Sequence, residues 1–200
     1  MQYGLDVRDT SIVWLNDLDT DTAYKRWPSS VSELLRPAFP GMLRSLRQNL
    51  HNLVLVVKPA AVAANAGLFS TLASFLTHSM PVRIGLVFDV TDDKAVTGKE
   101  DAGVALVCAF NYVVQSFEGE AANRKGFNFV KEFYASVKAG ESISAATVLD
   151  FFAARYKSED LEDVFGEDSD FDVGRRVARE FVAKGGFRAM PQVRSAIFFF

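Results

Sequence analysis

Three carboxylates in the run Asn16-Asp17-Leu18-Asp19-Thr20-Asp21 alternate with other residues, the spacing at which an Asp-x-Asp device holds a divalent cation against a nucleotide sugar. Two such carboxylates do not by themselves cage a hard cation, which takes six or more oxygens. A turn or a solvated N-cap set explains Asp17, Asp19 and Asp21 without a metal. Asp168, Asp170, Asp172 and Gly174 imitate the opening of a calcium loop, but the position that needs glycine is Val173 and the one that needs a bidentate Glu is Arg179. A looser cation site among Glu167, Asp168, Asp170 and Asp172 is the remaining metal candidate, and an acidic loop feeding a helix N-terminus explains the same residues. His51 and His78 stand at opposite ends of a strand-helix unit with no cysteines beside them. The single cysteine, Cys108, forbids an internal disulfide and Cys-x-x-Cys chemistry, and its apolar setting Ala105-Leu-Val-Cys-Ala-Phe fits a buried, inert thiol. No nucleophile-elbow, phosphate-loop or His-Glu-x-x-His pattern occurs, so covalent, hydrolytic and hydride chemistry have no candidate machinery.

The elements that would position these residues alternate strand and helix. Ser30-Val-Ser-Glu33 reads as a capping box, and Leu34, Leu35, Met42, Leu43, Leu46 and Leu50 recur at helical steps, with Pro37 and Pro40-Gly41 breaking or restarting the helix. Leu53 to Val57 is an unbroken run rich in β-branched residues, suited to a strand buried on both faces. A helix from Gly67 to Ser79 and a second apolar run from Val82 to Val90 complete a βαβ unit with parallel strands. After the polar segment 91–99 the pattern turns helical. Asp101 to Gln115 is apolar almost throughout, Phe127 to Val137 is amphipathic, Ala145 to Tyr156 follows Ser144 as N-cap, and Phe171 to Lys184 runs from Asp170 to Gly185-Gly186. The expected organisation is one domain over residues 1–200. It comprises an N-terminal extension and helix (1–52), a βαβ core (53–99), a helical insertion (100–186) and a C-terminal part of the core (187–200).

A chain of 200 residues can bury roughly 70% of its unfolded surface, enough for one substantial domain. With 22 basic residues scattered among 25 acidic ones and a net charge of −3, no basic field suits nucleic acid. No apolar run reaches the length of a membrane span, so no membrane insertion is expected. The N-terminal Met1 to Asp9 lacks the apolar centre of a secretory signal.

Several long phrases carry a family resemblance: Trp14-Leu15-Asn16-Asp17, Trp27-Pro28-Ser29-Ser30, Glu33 to Pro37, Phe39-Pro40-Gly41, Asn49 to Val57, His78 to Val87 and Glu100 to Gly103. They resemble the UDP-glucose:glycoprotein glucosyltransferase family, within its N-terminal array of thioredoxin-like domains, over most of residues 1 to about 190. The resemblance implies an α/β fold with a thioredoxin-like core, βαβ followed by X-Pro and a strand, interrupted by a large all-α insertion. Pro191 is then the candidate structural cis-proline. Redox-active relatives carry a cysteine pair after the first strand of that core; here the place reads Pro59 to Ala64 without sulfur, so the domain is redox-inactive. The family normally continues past the proline through a second strand and a closing helix, whereas this sequence gives Arg194 to Phe200.

What the resemblance implies about function is recognition of misfolded N-glycoproteins in the lumen of the endoplasmic reticulum, with other domains of the same polypeptide as further partners. UDP-glucose and a divalent cation belong, on this view, to a separate catalytic domain, and this domain needs no cofactor and is no enzyme. A lumenal home without a signal implies that these residues belong to a longer precursor. Detection of unfolded clients requires exposed apolar surface. Eighteen phenylalanines stand against two tryptophans and five tyrosines, and helical periodicity assigns Phe75, Phe110, Phe133, Phe151 and Phe181 to the core. Phe198-Phe199-Phe200 cannot all lie on one face of a strand. The candidate client-binding residues are therefore Phe187, Met190, Ile197, Phe198, Phe199 and Phe200, with Phe69 and Phe75 secondary. The alternatives are a structural spacer that packs only against sister domains, and a metal-dependent transferase using Asp17, Asp19 and Asp21.

Overall fold

A computed structural model describes residues 6–37, 39–119, 121–138, 140–187 and 191–197. Its centre is a four-stranded sheet of β1 (Val13–Trp14), β2 (His51–Val57), β3 (Arg83–Phe88) and β4 (Gln192–Ile197), in the order β1-β3-β2-β4. The two β-branched runs of the sequence form the middle pair. They lie parallel, with Leu53 opposite Ile84 and Leu55 opposite Leu86, and are joined by the crossover helix α1 (Val62–Thr77). The outer strands both run antiparallel to their neighbours: Trp14 faces Gly85, and Val54 faces Arg194.

Alternation along the strands feeds two cores. Leu55, Val57, Ile84, Leu86 and Phe88 point into the larger one, together with α1, α2 (Ala102–Gln115) and α3 (Ala122–Ser136). Val54, Val56 and Val87 point the other way, against Ala178 and Phe181 of α6 (Arg175–Lys184) and Ile12. Burial of the middle strands on both faces accounts for their continuous apolar wording. Helix α2 is enclosed from Ala102 to Phe110 because the sheet lies on one side and α3, α4 (Ala145–Arg155) and α5 (Leu161–Phe165) on the others. A helix apolar all round requires that placement. The helical stretch thus shares one core with the sheet.

Most of the phenylalanines are spent here. Phe129, Phe133, Phe151, Phe152 and Phe165 form a chain of edge-to-face rings, and Tyr112 meets Phe152, Tyr156 and Phe171 with centroids 5.1–5.2 Å away. Such pairs add about 0.5–1.5 kcal/mol each beyond their buried area.

Three expectations need correction. The helix read between Ser30 and Leu50 does not form: Val31–Leu35 is a short 3-10 helix, and the described residues from Arg36 to Leu50 are irregular. The Ser30 hydroxyl accepts from Ser32 N–H at 3.3 Å, in place of the Glu33 box. Pro37 and Pro40 each remove a donor within four residues, leaving stretches too short to nucleate an α-helix. The helix read from Phe171 begins only at Arg175, because Gly174 sits at φ 88° and turns the chain before the first helical residue. Leu161–Phe165 adds a short helix that periodicity could not reveal. By contrast, Ser144 caps α4 as read, in a reciprocal box with Thr147.

Candidate functional site

The first carboxylate cluster is consumed by its own turn. Asp17 accepts from the backbone N–H of Asp19 and Thr20, from Asn49 Nδ2 at 2.9 Å and from Arg83 Nη2 at 3.0 Å. Burial by itself would raise its pKa, but the Asn49 hydrogen bond, the Arg83 charge and the two backbone donors outweigh it and hold the carboxyl below the usual range. Asp19 takes the same Asn49 amide, and Asp21 accepts from Asp17 N–H and pairs with Arg124 at 3.5 Å. These bonds tie the segment after β1 to β3 and α3.

The second cluster is a brace. Arg175, 6% exposed, pairs with Asp172 and donates to the carbonyls of Thr91 and Asp93 at 3.1 and 3.0 Å, fixing the start of α6 to the loop after β3. Ser169 closes the turn by donating to Val164 O. Among the described residues no group of three His, Cys, Asp or Glu side chains converges as a metal site. His51 lies in β2, and His78 caps α1 with its ring on Ser74. Cys108 is fully enclosed in α2, where burial pushes its thiol up to about 12. At the Pro59–Ala64 turn, Tyr134 donates to Pro59 O at 2.9 Å and Asn65 to Lys58 O at 2.8 Å, a sealed polar contact with no sulfur in it.

The predicted client-binding residues separate. Phe69 is wholly buried, stacked on Phe127 at 5.0 Å, so it belongs to the core and not to a surface. Phe75 is half-buried at the margin of the large core, and Phe187 is half-buried against Phe181 at 5.7 Å. Ile197 ends β4 opposite His51, and Pro191 lies immediately before that strand. Met190, Phe198, Phe199 and Phe200 lie outside the described residues.

Exposed apolar surface is found instead where the helix failed to form. Leu35 is 88% exposed, Phe39 80% and Met42 67%, and Val31, Leu34 and Leu43 accompany them. The segment is a closed loop. Arg47 N–H donates to Pro28 O at 2.8 Å and Gln48 Nε2 to Ser29 O at 2.7 Å across its base, and the Arg44 guanidinium grips the carbonyls of Arg36 and Pro37 inside it. Leu46 and Leu50, from the same apolar series, turn inward and are buried. The decisive signal in the sequence is Pro37 and Pro40-Gly41, which cut the stripe into pieces that cannot share one face. No helix of the described residues is long and apolar enough to cross a membrane.

The sequence profile of a family described as "Thioredoxin-like domain" matches residues 5–198. UDP-glucose:glycoprotein glucosyltransferase 1 of Mus musculus is 38% identical over 191 residues, covering 96% of this chain and 12% of the relative. The UDP-glucose:glycoprotein glucosyltransferase of Drosophila melanogaster is 38% identical over 199 residues, with the same coverages. UDP-glucose:glycoprotein glucosyltransferase 2 of Homo sapiens is also 38% identical, over 95% of this chain and 12% of its own length. The chain therefore spans about an eighth of the length of these relatives.

Proposed function

The chain belongs to the thioredoxin-like domain family, and we propose that it serves as a non-catalytic module of a UDP-glucose:glycoprotein glucosyltransferase, contributing to recognition of misfolded N-glycoproteins in the lumen of the endoplasmic reticulum. The observation that carries this reading is the 31–43 loop, where six large apolar side chains stand in solvent on a frame fixed at its base. Such surface on a folded domain marks an interaction site. Burial of Leu35, Phe39 and Met42 against a client would contribute about 1.5–3 kcal/mol per fully enclosed side chain, offset by the cost of association. The contact is non-directional, so it tolerates many client sequences and selects for exposed apolar residues. On this reading nucleotide sugar and divalent cation are handled elsewhere in the whole enzyme. The C-terminal residues Phe198 to Phe200 remain a second candidate surface.

The test is binding of this domain to one N-glycoprotein in native and in denatured, non-aggregating form, alongside a variant carrying Leu35→Ser, Phe39→Ser and Met42→Ser. The wild type is expected to prefer the denatured client and the variant to lose that preference with its melting temperature unchanged. Equal binding of native and denatured client would leave a structural spacer that packs against sister domains.

A further inference from the structure

The exposed loop has a charge imbalance as well as an apolar face. Between Pro28 and Gln48 stand three arginines, Arg36, Arg44 and Arg47, against one carboxylate, Glu33, in a chain whose net charge is −3. Glu33 is already committed to Arg36 at 3.0 Å. Arg44 uses one terminal nitrogen on the carbonyls of Arg36 and Pro37, which hold the group in place without neutralising it. Its Nε, like the Nε of Arg47, is withdrawn from water and meets no acceptor among the described residues. That Nε lies too deep for a ligand to reach, so it is the part of the Arg44 guanidinium bordering the groove that can give an incoming carboxylate a charge-assisted bond. Arg44 borders a groove of about 380 Å³ whose other walls include Pro37, Phe39, Met42 and Leu43.

We infer that this groove takes an extended apolar peptide segment bearing a carboxylate beside its large side chains, with the carboxylate on Arg44 and the apolar groups against Phe39, Met42 and Leu43. The inference rests on the reading that the 31–43 loop receives clients, and narrows it to a class of client segment. Charge complementarity selects that occupant over a purely apolar or a basic one. A continuous anionic surface such as a lipid bilayer fits less well, because among the described residues lining the groove Arg44 alone is cationic.

Two labelled peptides test it, identical in their Leu and Phe residues and differing only in one central Asp against Asn. Each is titrated with the 200-residue chain by fluorescence anisotropy. The Asp peptide is expected to bind about tenfold more tightly at low salt, the weight of one charge-assisted hydrogen bond. Its advantage should shrink as salt screens the pair, and Arg44→Gln should remove the advantage while Asn-peptide binding persists. Equal binding of the two peptides by the wild type overturns the charge inference and leaves the apolar loop reading standing. Asp preference that survives in Arg44→Gln overturns the assignment to Arg44. Failure of both peptides, including a result in which only phosphatidylserine vesicles bind, overturns the inference and the reading beneath it together.

Discussion

One substitution made at two glycines should move stability in opposite directions, and the neighbours decide which. Gly85 lies in the interior of β3, opposite Trp14. A Cβ there would run into the Ile12 side chain and stand 2.9 Å from the Trp14 ring, about 0.6 Å inside the closest comfortable carbon–carbon separation. Ala is the better strand residue by about 0.5–1 kcal/mol, but forcing an extra methyl into a packed contact costs about 1–3 kcal/mol. The ring cannot shift freely, because the Arg83 guanidinium covers it at 4.0 Å and is itself held by Asp17. Loss of that cation–π contact adds about 0.5–1 kcal/mol at a half-exposed site. Gly85→Ala should therefore destabilise the domain by about 1–2 kcal/mol, lowering the melting temperature by about 2–8 °C for a chain of this size. Gly67 is the control: it sits in α1, where an added Cβ would find nothing within 4 Å, so Gly67→Ala should stabilise by up to about 1 kcal/mol. Urea unfolding followed by circular dichroism supplies the energies, and tryptophan emission reports whether Trp14 has moved. A Gly85→Ala protein as stable as the wild type, with unchanged emission, would refute the claim that Trp14 closes this edge of the sheet.

Tyr134→Phe removes the donor to Pro59 O and leaves that carbonyl buried beside Asn65, whose Oδ1 already lacks a partner among the described residues. The expected loss is about 1–3 kcal/mol in urea unfolding, and an unchanged midpoint would count against the sealed turn. The folded-state pKa of Asp17 lies below its ordinary 3.8, so its contribution is complete above that value and is lost as pH falls through the lowered folded value. Asp17→Asn should accordingly be less stable than wild type at neutral pH, with the gap closing in acid; a gap independent of pH would refute this. The Cys108 thiol, pushed up to about 12 in a closed helix, should resist iodoacetamide at pH 8 in the native protein and react on unfolding. Prompt stoichiometric labelling of the native form would show that α2 is not sealed.

The sheet was readable because its signal is local and strong. Val54 to Val57 and Ile84 to Phe88 leave no polar residue for solvent, and a stretch with no wet side must lie between two layers. Helix α2 announced itself the same way, and Ser144, read as an N-cap, marked the start of α4. What failed was a periodicity trusted across prolines. Leu34, Leu43 and Leu50 share a helical stripe only if Pro37 and Pro40 are ignored; once the backbone breaks there, Leu50 goes inward and the other two remain in water. Phe69 erred in the opposite sense, since the identity of a phenylalanine says nothing about which side of an amphipathic helix the next helix will cover. Its partners, Phe127 and Tyr134, lie more than fifty residues further along the chain. The arginines of the loop carried a legible charge excess, yet only the fold shows that Glu33 is taken by Arg36 and that Arg44 instead spends a terminal nitrogen on the carbonyls of Arg36 and Pro37.

The strand order has a consequence for how the protein is made. Strand β2 finds one neighbour soon, because α1 returns the chain to β3 within a short loop closure. Its other neighbour, β4, begins only at Gln192. At ordinary rates of synthesis the ribosome takes on the order of ten seconds to travel from Val57 to that point. Throughout that interval an edge of the most β-prone segment in the chain, Leu53 to Val57, presents unpaired backbone groups. A domain read here as a detector of incompletely folded chains thus passes through a stage in which it exposes the same kind of surface, and its own early history is one in which another copy could capture that edge before β4 arrives.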